Sequence, residues 1–153
     1  MANVKARGKV GDVLQIDLGA GMFGYGRVLE NPLMAFYDLS SREPKDPDEI
    51  IRSPVLFTVW VMNNAIKSEK WEILGNFPLD DVFKVKPKFF KQDRQTKQCS
   101  IYFDQKFVPA SIDECMGVER AAVWDPEHVA DRLRDHFEGR KNKWVESLKL
   151  DDA

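Results

Sequence analysis

The stretch Val10-Gly-Asp-Val-Leu-Gln-Ile-Asp-Leu18 is followed at once by Gly19-Ala-Gly-Met-Phe-Gly-Tyr-Gly-Arg-Val-Leu29, so a glycine-dense turn joins two β-prone runs. Apolar residues alternate in part along the first run, as they do in a half-buried strand. A third β-prone run, Leu33 to Leu39, begins directly after Pro32, whose missing N–H stops ladder pairing. The sequence therefore predicts that the chain opens with a three-stranded antiparallel meander.

The same stretch contains a literal G-x-G-x-x-G at Gly19, Gly21 and Gly24. A dinucleotide site needs a helix directly after this motif, because the phosphates bind at the helix N-terminus. Residues 25–32 are instead strand-like and reach a proline too soon for a crossover helix. A protein-kinase loop would need valine where Gly26 stands. We therefore interpret these glycines as forming a tight turn and a closely approached strand.

Composition places the chain among single-domain globular proteins. It has 153 residues, 43% hydrophobic and 31% charged, with a formal net charge of -2. This balance gives no basic field for a phosphate backbone, so nucleic acid is not an expected partner. Residues 1–9 lack the apolar core of a signal peptide, and no apolar run approaches the roughly 20 residues of a membrane helix. We expect a cytoplasmic protein without membrane contact, with Cys99 and Cys115 reduced.

The rest of the chain predicts more strands and one helix. Val55 to Met62 is the most apolar run and is expected to be a central strand, buried on both faces. Asp125-Pro126 is typical of a helix start, and Gly139 of its stop. The predicted fold is α+β, with a strongly twisted antiparallel sheet or a small SH3-like partial barrel of about six to seven strands. One C-terminal helix packs on it, and further strands are expected at 70–75, 82–90 and 98–104.

The sequence predicts no catalytic, cofactor or metal site. His128 and His136 are eight residues apart on the expected helix, so they do not share a face, and no third ligand is evident. Known nucleophile and zinc-protease motifs do not occur. An enzyme nevertheless stays a rival interpretation, and it requires a deep pocket that gathers one of these histidines with carboxylates.

Candidate recognition residues are found in two places. A proline-rich connection carries Asp46, Asp48 and Glu49, which we interpret either as a solvated loop or as a carboxylate cluster that docks on a basic partner. Tyr25 and Trp71 are the aromatic residues whose roles are least settled. A second rival interpretation is a small β-barrel that binds peptide or nucleic acid, which requires a basic groove where these lysines converge: Lys84, Lys86, Lys88 and Lys91.

Three segments carry a family resemblance: Lys9 to Gly19, Phe23 to Leu29, and Trp71-Glu-Ile-Leu-Gly-Asn-Phe-Pro-Leu79. Together they resemble the Imm26 family of bacterial immunity proteins, which is described as α+β with a G-x-G motif and a characteristic tryptophan. Gly24-Tyr-Gly26 matches the G-x-G, and Trp71 is the best candidate for the tryptophan. The resemblance spans roughly residues 9–138.

The resemblance implies an immunity-protein domain at 10–138, within a single domain of residues 1–153 that has a flexible N-terminus at 1–9 and a C-terminal tail at 139–153. It also implies a non-catalytic protein that binds a cognate toxin in the cytosol and blocks it stoichiometrically. If the toxin is a nuclease, we expect Asp46, Asp48 and Glu49 to cover its basic cleft as phosphate mimics. Tyr25, which is flanked by glycines and expected to be uncrowded, and Trp71 complete the expected partner-binding residues.

Overall fold

The computed structural model describes residues 8–63, 65 and 69–151, so residues 1–7 of the predicted flexible N-terminus lie outside the described part. Its first three strands are β1 (Asp12–Gly19), β2 (Met22–Val28) and β3 (Leu33–Ser41). They pair in antiparallel order along the chain, which confirms the predicted meander. The turn between β1 and β2 runs through three residues with positive φ at 19–21, two of which are glycines.

A six-stranded sheet is built around this meander. Its order is β10-β4-β3-β2-β1-β5, with β4 at Val55–Val61, β5 at Trp71–Asn76 and β10 at Val123–Trp124. The expectation that β4 is central and buried on both faces is wrong. Buried and half-buried residues alternate along it, because only one of its faces lies on the main core and only the short β10 lies beyond it.

A second sheet of four strands follows. Its order is β8-β7-β6-β9. The prediction of a strand over residues 82–90 is wrong for most of its length, since a 3-10 helical turn at Asp81–Lys84 precedes Pro87 and pairing begins only at Phe89. The described residues thus form two separate sheets in place of one sheet or SH3-like barrel. The strands are β6 (Phe89–Gln92), β7 (Cys99–Phe103), β8 (Lys106–Ala110) and β9 (Glu119–Arg120).

The predicted helix is present as α3. Asp125 caps it by accepting the N–H of Glu127 at 2.8 Å, Pro126 lies in its first turn, and Gly139 follows with a φ of 73°. A single C-terminal helix is nevertheless an incomplete description, because a further helix occupies the predicted tail. The helices are α1 (Pro47–Ile51), α2 (Ile112–Cys115), α3 (Pro126–Phe137) and α4 (Lys143–Ser147).

The larger sheet carries a hydrophobic cluster on each face. The main core lies under α3 and includes Phe36, Trp71 and Leu133. On the opposite face, Tyr25 and Ile50 belong to a smaller cluster next to α1. Among the helices of the described residues, none has the length and apolar character needed to cross a membrane.

Candidate functional site

The G-x-G of β2 lets the sheet pack closely against its neighbours. A Cβ at Gly24 would lie 3.2 Å from Leu18 Cδ1 and 3.3 Å from Leu133 Cδ1 of α3. A Cβ at Gly26 would lie only 2.9 Å from Cδ1 of Phe36, closer than real Cβ atoms approach. Both glycines therefore face the main core, where the packing leaves no room for a side chain at Gly26 and little room for one at Gly24.

Trp71 lies in the same core. Its ring is buried and meets Phe36 edge-on, with the ring centroids 5.9 Å apart. Gly26 and Trp71 thus converge on one buried phenylalanine, although 45 residues separate them in the sequence. Its burial gives Trp71 a packing role in the core, and Trp71 also borders a surface cleft that is described below.

Tyr25 points to the other face of β2, and the expectation that its ring is uncrowded is wrong. The ring is completely buried in the smaller cluster. Its hydroxyl lies 2.7 Å from Ser41 Oγ and accepts the backbone N–H of Lys45 at 3.2 Å. Ser41 Oγ in turn donates to the carbonyl of Glu43 at 2.6 Å. Tyr25 therefore holds the start of the acidic loop, by which we mean residues 43–49.

The acidic loop continues into α1, which presents its carboxylates to solvent. Asp46 caps the helix and accepts the N–H of Asp48 at 3.4 Å. Ile50 is completely buried beside Tyr25 and anchors the helix. Asp46, Asp48 and Glu49 are all exposed. The structure thus joins Tyr25 to the three predicted acidic residues and leaves Trp71 apart from them.

The charge of this region is more balanced than its acidic residues suggest. Residues 42–52 hold four carboxylates against Arg42, Lys45 and Arg52. Lys45 Nζ lies 3.2 Å from Glu49 Oε2. Among the described residues, no ion pair involves Asp48. Asp48 is therefore an exposed carboxylate of this loop that can meet a cation of a partner.

Arg27 is a structural residue that sequence reasoning missed. Its side chain is completely buried and donates to the carbonyls of Gly11 at 2.9 Å, Phe77 at 2.8 Å and Pro78 at 2.9 Å, and to the Tyr37 hydroxyl at 3.1 Å. Its spacing of two from Tyr25 could have indicated the same face of the strand. Arg27 thereby ties β2 to the segments before β1 and after β5.

The four lysines of the rival nucleic-acid interpretation do not converge on one groove. Lys84 pairs with Asp81 at 3.0 Å and Lys86 with Asp104 at 2.8 Å. The ammonium groups of Lys88 and Lys91 lie over the rings of different phenylalanines, 5.7 and 5.4 Å from their centroids. A continuous track for a phosphate backbone is therefore not formed by these side chains.

A cleft of about 760 Å³ gathers His128 with several carboxylates, as the rival enzyme interpretation requires. The His128 ring stacks on Trp144 with centroids 3.5 Å apart, and Trp144 Nε1 donates to Asp131 Oδ2 at 3.2 Å. Burial opposes ionisation of Asp131, but hydrogen bonds from Trp144 and Arg134, together with the Arg134 charge, lower its pKa. The carboxylate is therefore held charged.

Two other carboxylates of this cleft have structural tasks. Asp125 caps α3, and Asp17 accepts the N–H of Gly19 at 2.8 Å. No serine, threonine or cysteine occurs among the described lining residues. His136 lies elsewhere and is 2.9 Å from Asp38 Oδ1. Within residues 8–63, 65 and 69–151, no three histidine, cysteine or acidic side chains are grouped as metal ligands would be.

Comparison with known proteins gives one match. The family model described as Imm26, Immunity protein 26, matches residues 9–100, which is more than half of the chain. The matched region runs from the residues before β1 to the start of β7 and includes Gly24, Gly26 and Trp71. No curated protein matches the chain. No solved structure matches it either. By its family match, and by the motif residues that the fold brings together on Phe36, the chain belongs to the Imm26 family of immunity proteins.

Proposed function

We propose that this protein is an immunity protein that binds a cognate bacterial toxin in the cytoplasm and blocks it stoichiometrically, without catalysis. The observation that carries this proposal is the Imm26 match over residues 9–100. The geometry of the cleft at His128 agrees with it, because Asp125 there caps a helix, Asp17 closes a turn and Asp131 accepts from Trp144.

We further propose that the acidic loop contributes to the toxin interface. It is held in place from two sides, by the Tyr25 hydroxyl at its start and by buried Ile50 in α1. A loop ordered before binding loses less conformational entropy when it meets a partner. Exposed carboxylates at Asp48 and Glu49 would attract a basic toxin surface and speed association.

The alternative function is a small binding module for peptide or nucleic acid. It draws on the basic character of residues 82–110, where seven lysine and arginine residues face two aspartates. We favour the toxin, because Lys84 and Lys86 are already paired with Asp81 and Asp104. Titration of single-stranded DNA and RNA oligonucleotides in low salt separates the two functions, since an immunity protein is expected to leave both unbound.

The test of the proposed function is co-expression with the toxic domain encoded by the neighbouring open reading frame. We expect growth to be rescued and the two chains to co-purify in equal amounts. A protein that rescues growth at amounts far below those of the toxin would act catalytically, which would contradict the stoichiometric mechanism. Failure both to rescue and to co-purify would remove this toxin as the partner.

Asp48→Lys tests whether the acidic loop contributes to toxin binding, and Asp113→Lys is the matched control. Both aspartates are exposed and occupy the second position of a short helix, but α1 follows β3 of the larger sheet whereas α2 follows β8 of the smaller sheet. We expect Asp48→Lys to weaken toxin binding about tenfold, which corresponds to roughly 1.4 kcal/mol, and to reduce its salt dependence. Equal affinities and equal salt dependences for the two variants would contradict a role of the loop.

A further inference from the structure

A row of four aromatic rings connects the two sheets on one side of the molecule. Trp60 of β4 lies 4.6 Å from Phe89 and 5.4 Å from Tyr102, measured between ring centroids. Tyr102 lies 4.9 Å from Phe107 of the edge strand β8. We call these four residues the aromatic row. It begins in the larger sheet and ends at a ring that is 51% exposed.

Three rings of the aromatic row, those of Trp60, Phe89 and Tyr102, line one wall of a groove of about 580 Å³, and Phe107 lies beside Tyr102 outside that lining. The 3-10 turn and the residue after it form another wall, where Val82 is 61% exposed and Val85 is 77% exposed. Exposed apolar side chains that line a shared groove are typical of surfaces that bind a partner. Among the described residues, this groove gathers several of the large apolar side chains that the fold leaves in contact with solvent.

The groove lies on the same face of the larger sheet as the acidic loop. Val55 and Phe83 line the groove and also pack against the smaller cluster that contains Tyr25 and Ile50. One partner can therefore meet the acidic loop and the groove together without reaching around the molecule.

The lining of the groove is balanced in charge, with Lys84 and Lys86 against Glu30 and Asp104, but the chain segment that continues from it is basic, opposite in sign to the acidic loop. Residues 82–110 have a formal charge of +5, in a chain whose formal net charge is -2. Lys84 and Lys86 line the groove, and Lys91 Nζ lies 5.4 Å from the centroid of Phe107. Lysines at the margin of an apolar groove favour a partner that carries carboxylates.

On this basis we infer that the groove docks an apolar segment of the toxin that is flanked by carboxylates. The inference rests on the proposed immunity function and adds to it a surface and the chemistry of its occupant. Inside the groove the positive charges of Lys84 and Lys86 are offset by Glu30 and Asp104, so its interior suits an apolar side chain better than a phosphate. The carboxylates of the segment meet Lys91 outside it.

The toxin segment is bound through side-chain contacts and not through backbone hydrogen bonds to β8. The edge strand β8 begins at Lys106 and contains Pro109, which has no N–H to donate to an added strand. Proline and lysine on an edge strand discourage β-pairing with another chain. Phe107 and Val108 alternate across β8, since Phe107 pairs with Tyr102 and Val108 pairs with Ile101.

This alternation supplies a matched control on the same strand. Phe107 and Val108 are 51% and 57% exposed and point to opposite faces of the smaller sheet. The experiment measures binding of Phe107→Ser, Val85→Ser and Val108→Ser to an inactivated form of the toxic domain from the neighbouring open reading frame. Titration calorimetry gives the affinity, and thermal unfolding confirms that each variant is folded.

We expect Phe107→Ser and Val85→Ser each to weaken binding at least about tenfold, and Val108→Ser to leave it unchanged. Lys91→Glu should slow association and lower the salt dependence of binding, whereas Lys88→Glu should not, because Lys88 lies over Phe103, on the face opposite to the aromatic row.

The remaining outcomes overturn the inference in different ways. If the wild-type protein binds the toxic domain and all five variants bind it equally well, the groove is not the docking site, although the proposed function stands. If the wild-type protein does not bind, both fail. A dimer of the wild-type protein that Phe107→Ser dissociates would assign the groove to a second copy. An oligonucleotide shift that Lys91→Glu abolishes would assign it to nucleic acid.

Discussion

Replacing Gly26 with alanine tests whether the G-x-G motif serves packing. The added Cβ would lie 2.9 Å from Cδ1 of Phe36 and 3.1 Å from the carbonyl oxygen of Ala35, whereas ordinary van der Waals contact begins near 3.4 Å. The Phe36 ring cannot easily retreat, since it is completely buried and packs against Phe57 at 5.2 Å and Trp71 at 5.9 Å. Overpacking of this kind costs about 1–3 kcal/mol.

Alanine also lowers the conformational entropy of the unfolded chain, which by itself raises the free energy of unfolding by about 0.5–1 kcal/mol. Because the Cβ would meet a backbone oxygen as well as a confined ring, the upper end of the overpacking cost applies, about 3 kcal/mol. We therefore expect Gly26→Ala to lower the free energy of unfolding by about 2 kcal/mol and, at this chain length, to lower the Tm by roughly 4–8 °C. Gly24→Ala is the matched variant, because its Cβ would meet only the ends of two leucine side chains, at 3.2 and 3.3 Å. We expect its free energy of unfolding to stay within about 1 kcal/mol of the wild type.

Urea denaturation of both variants and of the wild type measures these differences. The folded fraction of Gly26→Ala is then tested for binding of the toxic domain. A Gly26→Ala variant as stable as the wild type would refute the packing argument. A stable variant that had lost toxin binding would assign the motif to the interface.

Three further predictions address buried groups. Tyr25→Phe removes one hydrogen bond to Ser41, at the end of β3, and one to Lys45 of the acidic loop, and should cost about 1–2 kcal/mol of stability while speeding amide hydrogen exchange at residues 43–49; unchanged exchange there would contradict the positioning role. Arg27→Met leaves its four acceptors without their charged donor and should lower the free energy of unfolding in urea by about 3 kcal/mol, whereas a loss below about 1 kcal/mol would show that the guanidinium contributes little. Burial raises the pKa of Tyr37. Burial, with a further contribution from neighbouring Cys99, also raises the pKa of the Cys115 thiol from 9.0 to about 11. The unfolded thiol then ionises first, so the free energy of unfolding should fall as pH rises from about 9 to about 11. Cys115→Ala should remove that part of the pH dependence in denaturation curves, and an unchanged slope would contradict the assignment.

Sequence reasoning succeeded where local chemistry decides the structure. The meander of β1 to β3 follows from β-prone runs separated by glycine and proline. The start of α3 follows from an aspartate followed by proline. In each case the residues that determine the element are within a few positions of it.

The predictions were wrong where contacts between segments far apart in the chain determine the structure. Residues 82–90 alternate like a strand, yet Pro87 and the absence of a neighbour for residues 82–88 leave only Phe89 and Phe90 to begin one. Val55 to Val61 is apolar enough for a central strand, but its outer face meets the smaller sheet through Trp60 rather than a second core layer. Neither the division into two sheets nor this contact is encoded in local periodicity.

The candidate site divides in the same way. The sequence by itself determined that Asp46, Asp48 and Glu49 are exposed in a proline-rich connection, because charged residues beside proline rarely enter a core. Only the tertiary structure decided that Tyr25 is buried and bonds that loop, and that Gly26 and Trp71 meet on Phe36. The physical reason is that burial and close contact depend on which strands lie side by side, and that pairing joins residues far apart in the chain.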